Sequence, residues 1–166
     1  MKIVHLLHGL PGSGKTTFAR QIEKERGAIS LKHDEYMTTL FGNNPPADQF
    51  DEMSERIHKL IWALTKKLVD HEVEVILDHG FWTRKSRDHA RKRVETMGAI
   101  PRFYRMICPD SVADARVLER SRDLRNGVLQ IDQNALELFR SQFEPMSEDE
   151  DFIDVETGSP TNRRWQ

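Results

Sequence analysis

Five apolar runs alternate with helical patterns along 166 residues, and that alternation predicts an α/β fold. The expected architecture is a mostly parallel five-stranded sheet with helices on both faces, a three-layer α/β/α arrangement. Two further observations point the same way. A glycine-rich stretch separates the first apolar run from the first helical pattern, as in folds that bind ligand at the carboxyl edge of a parallel sheet. The chain also has the length of one domain and no internal repeat, so residues 1–166 are expected to form a single domain around one core.

Ile3-Val4-His5-Leu6-Leu7 is the first strand. Lys15 to Arg26 follows as a helix and stops at Gly27, a residue suited to the turn that ends a helix. Ala28 to Leu31 is a short second strand, followed by Lys32-His33-Asp34-Glu35-Tyr36. Asn43-Asn44-Pro45-Pro46 breaks the chain into a loop. Phe50, Met53, Ile57, Leu60, Ile61, Leu64 and Leu68 then recur at three- and four-residue steps, predicting a long amphipathic helix to about His71. Val73 to Leu77 is the third strand. Thr83 can cap a helix running to Met97, with Gly98 as its stop. Ile100 to Ile107 reads as the fourth strand, and Asp110 can cap a helix that enters the arginine-rich segment Arg116 to Arg125. Ile131 to Phe143 is a further helix and Phe152 to Val155 the last strand.

Gly9 to Thr17 reads GLPGSGKTT and satisfies the pattern G-x-x-x-x-G-K-[ST] between a strand and a helix. In that position successive backbone N–H groups converge at the positive end of the helix dipole and form a concave anion site. Gly9, Gly12 and Gly14 supply backbone freedom, Lys15 reaches terminal phosphates, and the Thr16 hydroxyl suits Mg²⁺. The motif predicts a nucleoside triphosphate site built from Gly9, Pro11, Gly12, Ser13, Gly14, Lys15, Thr16 and Thr17.

Composition limits the partners. Lys and Arg number 25 against 27 Asp and Glu, so no global basic field recruits nucleic acid or a membrane surface. The single cysteine, Cys108, cannot form an internal disulfide and lies in an apolar stretch, which suggests a core position and a reducing cytoplasm. There is no signal pattern and no apolar run of membrane-spanning length.

The fate of the terminal phosphate depends on the other strand ends. Asp34 follows the second strand, where a carboxylate can accept or orient the proton of an attacking hydroxyl. Asp78 ends the third strand, where a carboxylate supports Mg²⁺; the next residue is His79 rather than a second acid that would activate water. Arg116 and Arg120 share a helix face, and Arg122 and Arg125 lie near the break at Asn126-Gly127. A mobile lid bearing such arginines would neutralise the transferred group and exclude water. Arg84, Lys85 and Arg87 form a second basic cluster that either holds an acceptor anion or solvates a helix start. Phe81 and Trp82 either stack on an acceptor or pack in the core. His5 and His8 point to opposite faces and cannot jointly hold a metal. Glu148 to Asp151 reads as a solvated acidic loop.

GLPGSGKTTFAR, KHDEY, ILDHGFWTRKSRD and RVLERSRDLRNG together resemble the small P-loop kinases, a group that includes polynucleotide 5′-hydroxyl kinases, zeta toxins and chloramphenicol phosphotransferase. Short bacterial chains of the AAA ATP-binding type are similar too, several ending in a stretch like Phe143-Glu144-Pro145. The resemblance covers nearly the whole chain and implies a P-loop NTPase fold with an arginine-bearing lid. It implies ATP and Mg²⁺ as cofactors, Asp34 in the catalytic-base position, Lys15 and Thr16 on phosphate and metal, and Arg120 or Arg122 as the lid arginine. Polynucleotide kinases continue the aspartate segment into an arginine that grips nucleic acid, whereas here Met37 follows Tyr36.

The expected function is therefore transfer of the ATP γ-phosphate to a hydroxyl of a small molecule, with Asp34, Tyr36, Arg84 and Arg87 toward the acceptor and Thr16 and Asp78 toward the metal. A 5′-hydroxyl polynucleotide or nucleotide kinase is the alternative enzyme. A slow ATPase acting as a nucleotide-dependent switch is the alternative of a different class.

Overall fold

The computed structural model describes residues 2–122 and 131–158. Its elements run β1 (Ile3–His8), α1 (Lys15–Arg26), β2 (Ile29–Lys32), α2 (His33–Phe41), α3 (Phe50–Asp70), β3 (Val75–Gly80), α4 (Arg84–Thr96), β4 (Ile100–Ile107), α5 (Asp110–Arg122), α6 (Gln133–Gln142) and β5 (Phe152–Glu156). The five strands form one sheet in the order β2-β3-β1-β4-β5, and every pairing is parallel. The expected α/β/α class holds, with a sheet that is wholly rather than mostly parallel.

Parallel strands joined by helices are covered on both faces, so their side chains are apolar in both directions. β1 is buried at every position. Val4 and Leu6 join Ile57, Ile61, Leu77, Val94 and Phe103 in the core on one face. Leu7 turns to the other face, where it meets Ala19 and Ile22 of α1 with Ile76 and Tyr104. His5 shares that second face without breaking it. Because a carboxylate only accepts, the His5 Nε2–H donates to Glu74 at 3.3 Å, which leaves Nδ1 to accept from the Tyr104 hydroxyl at 2.9 Å.

Several boundaries differ from the sequence expectation. The segment 33–41, which carries no helix signal of its own, is helix α2, entered from Lys32 without any side-chain cap. Asp34 and Glu35 in its first turn complement the helix dipole, and Met37 is fully buried beneath it. β3 runs beyond Leu77 to Gly80, because its last residues pair with the ends of β1 and β2: Gly80 with His8, and Asp78 with Lys32. The expected N-cap at Thr83 is present, its hydroxyl accepting the Ser86 N–H at 3.1 Å.

Glu150 overturns the reading of Glu148 to Asp151 as a solvated loop. Its side chain is completely buried against the equally buried Arg87, with N–O distances of 2.7 and 2.8 Å. Burial favours a protonated Glu150, but hydrogen bonds from Arg87 and the Ser147 N–H, with the Arg87 charge, outweigh it and hold the carboxyl below its usual range. No helix among the described residues is long and apolar enough to cross a membrane.

Candidate active site

Between β1 and α1 the chain passes through the glycine-rich turn at the carboxyl edge of the sheet. Gly12 and Gly14 adopt φ of 79° and 95°, a region that residues with a Cβ rarely enter. A methyl on Gly12 would collide with the Ala113 carbonyl of α5, and one on Gly14 with the Thr157 side chain. The turn is clamped by the same neighbours. Arg116 donates to the carbonyls of Gly12 at 3.3 Å and Thr157 at 3.0 Å, while the Thr157 hydroxyl donates to the Ser13 carbonyl. No side chain caps α1, so its leading N–H groups stay open to an anion.

Lys15 Nζ curls back onto the carbonyls of Gly9 and Leu10 at 3.0 and 2.9 Å. Burial lowers its pKa; the charges of Asp78 and Asp34 oppose that shift, and Arg120 adds to it. Three groups expected at the site on sequence grounds thus act on one ammonium. Thr16 donates its hydroxyl to Asp78 at 3.0 Å. These are hard oxygen donors in the composition that Mg²⁺ prefers, so the residues fit the metal that the motif implies.

A cleft of about 1960 Å³ opens over this edge. Pro11, Gly12, Gly14, Lys15, Thr16 and Thr17 line it, as do Asp34, Asp78 and Arg120. Ser13 is buried beneath the turn, and Gly9 contributes through its carbonyl, which also accepts the Trp82 indole N–H at 3.2 Å. Trp82 lines the cleft against Phe139 of α6, and Phe81 borders the cleft while packing in the core. Asp34 projects from the first turn of α2, its side chain 71% exposed, and accepts the His33 Nδ1–H at 3.3 Å.

The structure withdraws other expected site residues from the acceptor. Arg87 is consumed by Glu150 and by the carbonyls of Phe81, Trp82, Glu144 and Pro145. It is a buried tie rather than a substrate ligand. Arg84 spans Asp88 and Asp149 at 3.0–3.1 Å and lies outside the cleft. Tyr36 packs against the core instead of facing the cleft. Arg122 is exposed at the end of α5 and does not line the cleft. Arg125 and the Asn126-Gly127 break of the expected lid lie outside the described residues. Cys108 sits just past β4, half-buried, 3.6 Å from an Arg116 nitrogen.

One feature of the site has no counterpart in the sequence expectation. His33, His58 and His79 converge on the cleft wall beside Asp34, with ring centroids 4.6 Å apart for His33–His58 and 5.2 Å for His58–His79. Burial, then repulsion from His33, lowers the His58 pKa to about 4 against the attraction of Asp34. Burial, with the charges of His58, His33 and Lys15, holds His79 well below its ordinary value. A sequence signal for this wall exists: Phe50, Ser54, His58 and Trp62 recur every four residues on α3, and all four line the cleft.

A glycine-rich turn opening a helix at the sheet's central strand, with a Thr–Asp pair at its foot, defines a P-loop NTPase-type fold. The chain belongs to the AAA domain family, whose model matches residues 4–146. Among solved structures it is similar to a Chloroflexus aurantiacus J-10-fl protein provisionally named a kinase, at 17% identity, covering 96% of this chain and 90% of that one, with a TM-score of 0.77. It is similar to a gluconokinase from Sinorhizobium meliloti 1021 at 18% identity, covering 96% and 85%, with a TM-score of 0.63. It is also similar to a chain of the Pnkp1/Rnl/Hen1 RNA repair complex at 22% identity, covering 85% of this chain and 43% of that one, with a TM-score of 0.70. No curated protein matches in sequence. The fold is thus the one shared by small P-loop kinases.

Proposed function

We propose that the protein is an ATP-dependent phosphotransferase acting on a hydroxyl of a small molecule. The observation that carries this reading is the position of Asp34, an exposed carboxylate on the cleft whose charge acts on the phosphate-loop lysine. The N–H groups of Gly12 and of residues 14–16, with the Lys15 ammonium, bind the terminal phosphates, while Ser13 gives its N–H to the Leu10 carbonyl. Thr16 and Asp78 would hold Mg²⁺, which when bound neutralises charge on the phosphate oxygens. Asp34 orients the acceptor hydroxyl and takes its proton as the acceptor oxygen bonds to the γ-phosphorus. The bond from that phosphorus to the β,γ-bridging oxygen breaks, and ADP departs with the electron pair. Arg120, on the cleft, counters charge on the transferred group.

Likeness in fold to kinases of small and large acceptors supports the reaction class. The commitment of Arg84 and Arg87 to internal carboxylates weighs against a polynucleotide acceptor, whose binding draws on phosphate neutralisation. Asp34→Asn tests the reading. Transfer should fall by about 10²–10⁴-fold, while calorimetry shows ATP affinity little changed. Full transfer by the variant would remove Asp34 from the mechanism. Hydrolysis without any transfer, at a rate the substitution leaves untouched, would make the protein a slow ATPase switch.

A further inference from the structure

The imidazole wall has a hydrogen-bonding capacity that the fold leaves unused. His33 is fully engaged: its Nδ1–H meets Asp34, so Nε2 must accept from the Ser54 hydroxyl at 2.8 Å. His58 touches the other two rings but forms no hydrogen bond with any other described residue, although it lines the cleft. Both ring nitrogens of His79 are buried and unpartnered, which is costly unless a ligand or bound water completes them. The trio is not a metal centre. The His33 and His58 rings stack at 29°, and no group of three or more His, Cys, Asp or Glu among the described residues is arranged to hold a metal ion.

A neutral imidazole offers one N–H and one lone pair. That doublet matches a hydroxyl, which both donates and accepts; a phosphate or carboxylate only accepts and would use the N–H alone. The surrounding charge agrees. Asp34, Glu35 and Asp51 line the cleft on this side, against Lys32, which is drawn to Glu35 at 3.6 Å, and Lys85 of α4. Lys15, whose charge reaches His79, balances the third carboxylate, so the wall holds no cationic surplus for an anionic acceptor.

We propose that the wall of His33, His58 and His79 is the acceptor subsite, and that the acceptor is an uncharged polyhydroxylated molecule of the sugar or polyol class. This rests on the kinase reading above. Within the subsite His58 pairs with a hydroxyl that is not transferred to. His33, tied to Asp34 and Ser54, is a positioning residue that aims the carboxylate.

The full chain is assayed with γ-labelled ATP against ribose, sorbitol and adenosine, and in parallel against a sugar phosphate, an amino sugar and a 5′-hydroxyl oligonucleotide. Label on an uncharged compound is expected. His58→Phe, which keeps a flat ring and loses both nitrogens, should raise the KM for that acceptor about tenfold or more with a smaller change in kcat, while His58→Gln restores part of the affinity. Independently of turnover, the preferred polyol should shift the imidazole NMR signals that disappear in His58→Phe. Label confined to the phosphate, the amino sugar or the oligonucleotide would overturn the inference and leave the kinase reading standing. So would an acceptor KM indifferent to His58→Phe. If ATP is hydrolysed and no compound of any charge is labelled, the kinase reading fails and the inference falls with it.

Discussion

Thr16, the second residue of α1, gives its hydroxyl hydrogen to Asp78 of β3 at 3.0 Å, joining two elements whose residues lie 62 positions apart. The pair places a helix start and a strand end on the same side of the phosphate loop, where the proposed Mg²⁺ would sit.

Asp78→Asn should therefore raise the Mg²⁺ concentration required for half-maximal ATP turnover by about 10–100-fold, the usual effect of disturbing a metal's supporting groups. A Mg²⁺ titration of turnover at saturating ATP measures it. A variant with the wild-type Mg²⁺ requirement would exclude Asp78 from the metal's surroundings.

The Arg87–Glu150 pair is completely buried on both sides. Removing one partner strands the other charge, so Arg87→Met should destabilise the fold by about 3–5 kcal/mol. The double variant Arg87→Met with Glu150→Met should recover a large part of that loss. Urea unfolding of the three proteins decides the matter, and additive losses would show that the two groups do not act as a pair.

Stability should also fall on the acid side. Burial is the main cause that lowers the His8 pKa from 6.5 to about 4; Arg87 adds to it, while a hydrogen bond to the Phe81 carbonyl and the Glu150 charge oppose it. Between those values the unfolded chain binds a proton that the folded chain refuses, so the stability is present above about 6.5 and is lost as the pH falls through 4. His8→Asn, which can keep a donor to the Phe81 carbonyl and cannot titrate, should flatten part of the slope of urea midpoint against pH. An unaltered slope would assign the acid sensitivity elsewhere.

The sheet and the phosphate loop were legible because both are local. Period and composition mark β1, α1, α3 and β4, and the loop is a contiguous run of eight positions. Helix α2 was not, because it starts from Lys32 without a capping side chain and is held by Met37 against a distant core. The acceptor side was misread for a related reason. Arg84 and Arg87 look free in the sequence, and their partners, Asp149 and Glu150, stand more than sixty residues away. An acidic run and a basic cluster, each resembling a solvated patch alone, cancel when the fold brings them together. The histidines are similarly scattered over α2, α3 and β3, and only the crossing of those elements makes them a wall.

The clamp on the phosphate loop has a consequence for the growing polypeptide. Ser13 leaves the ribosome 144 residues ahead of Thr157, whose hydroxyl secures its carbonyl. A nascent chain displays the complete loop motif long before it owns the residue that locks the loop's shape. A product released before β5 is made keeps the signature yet lacks its fastening. The fastened form of the loop is thereby tied to synthesis of the chain through Thr157, well after the motif itself has emerged.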